Sequence, residues 1–241
     1  MAMIVLEGKN LSCRYGKVTA VQAASLTLSV GETIGLVGES GCGKTTLART
    51  LVGLRRPEEG QVLFHGDPLN SKRLSGRLQM VFQDPSASLN PRRSVWQNVA
   101  VPLQTADEAH IAATLRRVEL PEETWHRPPA TLSGGQQQRA AIARAFIARP
   151  DCIVCDEPVS FLDMSARAGI INLLNKLGRE DGVAMLVISH DLRMVYTLCE
   201  KIAVMDGGEI VEFQETKALF SNPQHEKTKA LLAAIPPIPG R

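Results

Sequence analysis

Long apolar runs are missing from this sequence: none approaches the roughly 18 consecutive apolar residues that a membrane-crossing helix requires. Met1-Ala2-Met3 leads straight into the strand-like Ile4-Val5-Leu6, so no secretory leader is expected either. If the protein works at a membrane, another polypeptide must supply the membrane part. An excess of charge of one sign is also missing. There are 27 Lys and Arg against 25 Asp and Glu, a formal net charge of +2, and the basic residues are scattered. That argues against a nucleic-acid partner, which would call for a basic patch. Internal repeats and low-complexity tracts are lacking as well. Cysteines are few, at five, and dispersed: Cys13, Cys42, Cys152, Cys155 and Cys199. Cys152 and Cys155 form a lone C-x-x-C inside an apolar run. Residues three apart on a strand face opposite ways, so this pair is expected neither to share a metal nor to form a disulfide. The cysteines read as small buried hydrophobes in a reducing compartment.

What is present is an ordinary globular composition, 44% hydrophobic and 22% charged, over 241 residues. That length suits one large domain or one domain carrying a subdomain. Strand character is seen at Ile4–Leu6, Ala20–Val30, Thr33–Val37 and Val62–Phe64, with a helix over Lys44–Gly53. From about Asp84 to Pro150 no strong strand signal appears. Helical stretches at Asp107–Val118 and Gln136–Ala148 are punctuated by Pro102, Pro121, Pro128 and Pro129. Alternation then resumes: strand Cys152–Cys155, helix Ala166–Leu177, strand Ala184–Ile188, helix Leu192–Leu198, strands Ile202–Met205 and Glu209–Phe213. The pattern predicts an α/β fold with a mainly parallel sheet, interrupted by a helical insertion.

Gly38-Glu39-Ser40-Gly41-Cys42-Gly43-Lys44-Thr45, followed by Thr46, fits G-x-x-x-x-G-K-[ST]. Binding a triphosphate requires backbone N–H groups to close around anionic oxygens, and glycines permit the tight turn. The loop follows an apolar strand and opens a helix, whose N-terminus would face the phosphates. Lys44 is expected to reach the β- and γ-phosphates and Thr45 to ligate Mg²⁺, implying ATP and Mg²⁺. Cys42, beside Lys44 and a helix start, is a candidate for a reactive thiol whose alkylation would block ATP binding. Downstream, the apolar strand Cys152–Cys155 ends in Asp156-Glu157. Asp156 would hold the Mg²⁺ through water, and Glu157 would orient or deprotonate the attacking water. Ser133-Gly134-Gly135-Gln136 opens a further helix, with Ser133 in an N-cap-like place. A second anion site at a helix N-terminus makes sense if it caps the γ-phosphate held by another chain.

Taken together, these motifs resemble the nucleotide-binding subunits of ATP-binding cassette (ABC) transporters, over about residues 3–235 and in the same order. Leu132–Gln136 matches the family's signature motif. Gln83 matches its Q-loop glutamine, which senses Mg²⁺ and couples to the membrane subunit. Ser160-Phe161-Leu162-Asp163 is similar to the D-loop, although Phe161 replaces a residue that is commonly small. His190 matches the switch histidine on the γ-phosphate, and Tyr15 the aromatic that stacks on adenine. The resemblance implies a P-loop NTPase (RecA-like) core sheet with an N-terminal antiparallel β subdomain and an inserted α-helical subdomain. Residues 1–83 and 151–241 would form the catalytic core, 84–150 the helical subdomain, and 215–241 a short C-terminal extension of one 1–241 domain. It further implies a head-to-tail pair of ATP-binding subunits sandwiching two ATPs. Transmembrane permease subunits would be attached, a solute-binding protein would act indirectly, and the chain would sit on the cytoplasmic face of the inner membrane.

Gln79–Arg92 is similar to the Q-loop region of the oligopeptide, dipeptide and nickel importer group. Leu219–His225 with Ala230–Pro236 is similar to that group's C-terminal motif, although Glu226 and Lys227 replace its usual proline and aromatic. The expected cargo is therefore a peptide, nickel or a metal chelate, and the second ATPase is either a paralogue or an identical copy. An exporter or lipoprotein-release ATPase is the alternative. A soluble ABC ATPase acting on DNA or ribosomes would carry coiled-coil insertions or two cassettes, and neither is seen.

Overall fold

A computed structural model describes residues 3–69, 76–103, 105 and 107–234. The chain divides into two compact units, Met1–Ser71 with Ala184–Arg241, and Lys72–Val183. The end of the importer-like tail, from Ile235 on, lies outside the described residues.

The first unit opens with β1 (Ile4–Tyr15) and β2 (Val18–Ser29), paired antiparallel with Gly8 opposite Leu26. β1 runs well beyond the apolar triplet Ile4–Leu6 visible in the sequence, whereas β2 lies close to the expected Ala20–Val30. Their alternation is broken by bulges, where Asn10 and Ala23 take positive φ of 48° and 45°. β3 (Thr33–Val37) is buried at all five positions, as a strand covered on both faces must be. It feeds α1 (Lys44–Leu51). β4 (Glu59–Phe64) pairs antiparallel with the other side of β1, and β5 (Asp67–Pro68) closes that sheet's edge.

The second unit contains β6 (Leu78–Val81), then α2 (Pro85–Ser88), α3 (Val95–Val99), α4 (Glu108–Arg117) and α5 (Gly134–Phe146). β7 (Cys152–Asp156) pairs parallel with β6, Val81 lying opposite Cys155, and α6 (Met164–Asp181) follows. Among the described residues between 84 and 150 there is no strand, in line with the sequence. β6, only four residues long, carried no readable periodicity. The helix starts follow from their caps. The N–H of His110 donates to Asp107, and those of Ser165 and Ala166 donate to Asp163. α6 ends at Gly182 with φ 63°, the left-handed turn that glycine allows most readily. Within the unit Arg117 joins α4 to α6 through Glu180 (3.2 Å) and Asp181 (3.0 Å). The Trp125 indole N–H donates to Leu120 O at 2.9 Å.

The chain then completes the first unit with β8 (Ala184–Ile188), α7 (Leu192–Leu198), β9 (Lys201–Asp206), β10 (Glu209–Glu215), α8 (Thr216–Ser221) and α9 (Glu226–Ala233). β8 and β9 flank β3 in parallel, and β10 runs antiparallel to β9 after a Gly207-Gly208 turn. The parallel strands therefore surround the one that delivers the glycine-rich loop. Gly35 in β3 is where α7 closes in: a Cβ there would lie 2.2 Å from Val195 Cγ1.

Candidate functional site

The glycine-rich loop belongs to the first unit and leaves the buried end of β3. Gly38 (φ 155°) and Gly43 (φ 110°) are dictated both by backbone and by space. A Cβ would stand 2.2 Å from Met205 O at the first and 2.0 Å from Ala20 O at the second. Gly41 has open space around it and is required by its φ of 81° alone. The loop is tied down from outside by the N–H of Gly208, which donates to Cys42 O at 3.0 Å. Gly43 is the N-cap of α1 and no side chain caps it, so none competes for the N–H groups of that first turn. Such a cradle, with no room for side chains and a helix start at its rim, suits phosphate oxygens.

Lys44 is buried, and its ammonium donates to Gly38 O at 2.9 Å and Glu39 O at 2.7 Å. Its positive end is thus held over the loop by acceptors that a phosphate oxygen can replace. Cys42 Sγ lies 3.8 Å from Lys44 Nζ, the neighbourhood foreseen in the sequence, but Cys42 is only 8% exposed. Burial removes the accessibility that a reactive thiol needs. Glu39 and Ser40 are exposed, while Thr45 and Thr46 are half-buried on α1. His190 is exposed immediately after β8, where the N–H of Asp191 donates to Ser189 Oγ at 2.9 Å and Asp191 caps α7. Tyr15 ends β1 half-exposed, with the Arg55 guanidinium 4.0 Å above one face of its ring.

The second unit holds the carboxylates. β7 is buried throughout and ends at Asp156, itself 3% exposed. Glu157 follows with φ 46°, a left-handed conformation that costs a non-glycine residue about 1–3 kcal/mol and clusters at functional sites. Two donors meet on one of its oxygens. Gln83 Nε2 donates to Glu157 Oε2 at 3.1 Å, and Ser160 Oγ donates to the same atom at 2.6 Å. Gln83 stands just after β6, before α2. There the Ser86 side chain, working against slight desolvation and helped by the N–H groups of Ala87 and Ser86, holds the Asp84 carboxyl below its usual range. Farther along, the buried Asn98 donates to Asn90 O, Arg93 O and Ser94 O and accepts from Asn90 N–H, shaping the turn that follows.

Ser133 caps α5 as its position suggested. The N–H of Gln136 donates to Ser133 Oγ at 3.3 Å, while Gln136 Oε1 accepts from Ser133 N–H at 3.0 Å, a reciprocal capping box. Gly134 and Gly135 form the first turn. A Cβ on Gly135 would stand 3.2 Å from Ala166 Cβ, and one on Gly134 would stand 3.5 Å from Leu162 Cδ2. The Ser-Gly-Gly turn therefore lies against Leu162 and the start of α6. Asp163 is engaged as the N-cap of α6, and the Ala166 N–H, with the Ser165 hydroxyl and N–H, holds its carboxyl below the usual range. Cys152 and Cys155 are free and fully buried, and burial pushes the Cys155 thiol up to about 12 and that of Cys152 higher still.

Residues 21–160, more than half of the chain, match the ABC transporter family. The chain belongs to the ABC transporter family. It is 41% identical to the oligopeptide transport ATP-binding protein OppF of Lactococcus lactis, over 92% of this chain and 73% of that protein. It is 42% identical to the oligopeptide transport ATP-binding protein AmiF of Streptococcus pneumoniae, over 98% of this chain and 83% of that one. Among solved structures, the ATP-binding cassette MJ0796, dimeric in a post-hydrolysis state bound to ADP and Pi, superposes with a TM-score of 0.78. It is 30% identical and covers 88% of this chain and 98% of its own. The α/β, P-loop NTPase class expected from the motifs is therefore the fold of this ABC chain.

Sequence reasoning missed two contributors. Ser160 was seen only as a D-loop residue. Its spacing three residues after Glu157, within one tight turn, is the signal that would have placed its hydroxyl on the carboxylate. Lys227 was seen only as a departure in the tail, and nothing local announces its contact with Glu39.

Proposed function

We propose that this chain is the ATP-binding and ATP-hydrolysing subunit that powers an ABC importer, with oligopeptides as the favoured cargo. The observation that carries the reading is the convergence of Gln83 and Ser160 on Glu157 Oε2. It joins the residue placed to activate water to a loop placed to feel the membrane subunit, which is what coupling hydrolysis to transport demands. This chain's relatives among oligopeptide transport ATP-binding proteins favour peptides over nickel or a metal chelate.

In this reading Lys44 exchanges the carbonyls of Gly38 and Glu39 for the β- and γ-phosphates, while the N–H groups of residues 39–45 close around the triphosphate. Adenine stacks on the face of Tyr15 opposite Arg55. The donor set of Thr45, Gln83 and the buried Asp156 suits a hard, oxygen-seeking cation. Mg²⁺ held there would neutralise charge on the phosphates. Glu157 orients the attacking water and takes its proton, and His190 donates to the γ-phosphate. The glycine N–H groups at Ser133-Gly134-Gly135, with Gln136 and Asp163, complete the site of a second ATP-binding subunit, here taken to be a paralogue. Among the described residues no helix is long and apolar enough to cross a membrane. In this reading the chain works from the cytoplasmic face of the inner membrane, against permease subunits served by a solute-binding protein.

Peptide uptake in a strain lacking the gene tests this reading. The wild-type chain restores uptake and Lys44→Ala does not. Restoration of nickel uptake alone would replace the cargo, and uptake by Lys44→Ala equal to wild type would contradict the mechanism.

A further inference from the structure

The C-terminal segment of the first unit folds back toward the glycine-rich loop. Glu212 in β10 is buried and accepts the N–H of Gln224 at 2.8 Å, the N–H of His225 at 2.9 Å and the Gln214 side-chain amide at 2.6 Å. These bonds set the entry to α9, whose N-cap is His225, with Lys227 N–H donating to its Nδ1 at 3.3 Å. From that anchored turn the Lys227 ammonium stands 3.6 Å from Glu39 Oε1 and 3.7 Å from Asp206 Oδ1. Glu39 is the second residue of the loop, and its carbonyl already accepts from Lys44. Two lysines therefore bracket Glu39, one on its carbonyl and one near its carboxylate.

Lys227 is half-exposed, and ion pairs near the surface contribute little to stability. Its consequence lies in how the carboxylates of Glu39 and Asp206 are held beside the loop. Glu39 and Asp206 place two negative charges beside a cradle built for a polyanion, and their repulsion acts within the Debye length. We propose that Lys227 is a positioning residue for nucleotide binding, neutralising Glu39 and Asp206 so that the loop accepts a triphosphate. It acts through these carboxylates and touches no reacting atom. The inference rests on the nucleotide-binding reading of the loop.

The test is a titration of the full-length chain with a fluorescent ATP analogue at low and high salt. The proteins are wild type, Lys227→Met, Lys227→Arg, the pair Glu39→Gln with Asp206→Asn, and that pair combined with Lys227→Met. At low salt Lys227→Met should weaken binding about two- to tenfold, as expected when two carboxylates beside the loop lose their shared counter-charge in a partly screened medium. High salt should shrink the loss, and Lys227→Arg should bind like wild type. If the ammonium acts by holding these two carboxylates, Lys227→Met should lose less in the neutralised background than it does in the wild type. Unchanged binding by Lys227→Met at low salt overturns the proposal. So does an undiminished loss in the neutralised background, which would mean that the ammonium acts on the nucleotide directly. A wild-type chain that binds no nucleotide would overturn the reading of the loop itself, a result distinct from these two.

Discussion

At the residue scale the proposed chemistry centres on Glu157. Its left-handed backbone turns the carboxylate away from the line of β7, and Gln83 and Ser160 then hold one of its oxygens. A hydrogen bond to a charged group contributes about 1.5–3 kcal/mol, so Ser160→Ala should lower kcat about tenfold while leaving KM for ATP near its wild-type value. Steady-state kinetics check this, and an equal loss in binding would mean that Ser160 shapes the pocket instead. The cysteines lead to the opposite kind of expectation. Cys152 and Cys155 are fully buried, and their raised pKa values keep both as thiols at neutral pH. Mass spectrometry after alkylation of the native chain should find both unmodified, with labelling only once denaturant is added.

Among the elements, β3 and its neighbours set where the loop emerges, and α7 depends on the absence of a side chain at Gly35. Gly35→Ala would drive a methyl group to 2.2 Å from Val195 Cγ1. The resulting overpacking should cost about 1–3 kcal/mol, seen as a lower thermal midpoint. The helix that follows Ser133 was legible because its cap is written in a few adjacent residues. β8 and α7 match their predicted limits, Ala184–Ile188 and Leu192–Leu198: β8 is an unbroken apolar run that ends at Ser189, and α7 starts directly after its cap, Asp191. The full reach of β1 was not legible. Glu7, Gly8, Lys9 and Asn10 carry little strand propensity, and the strand persists there because β2 and β4 pair with it on both sides. The pairing of Gln83 with Glu157 and of Lys227 with Glu39 is likewise set by folding, between residues far apart in the chain.

For the whole molecule, the motifs point to a chemistry but not to the contacts that support it. The loop glycines, Lys44, Asp156 and Glu157 follow from what phosphate binding and hydrolysis require. Ser160 and Lys227 follow from where the chain returns on itself. The central claim is that this ABC chain hydrolyses ATP with Glu157 as the group that activates water. The direct test is ATP turnover and nucleotide retention by Glu157→Gln, which keeps the shape and removes the charge. The account predicts hydrolysis lower by about 10²–10⁴-fold, the usual contribution of a positioned base, with unhydrolysed ATP retained in a closed dimer of ATP-binding subunits. Turnover at the wild-type rate by Glu157→Gln would contradict it.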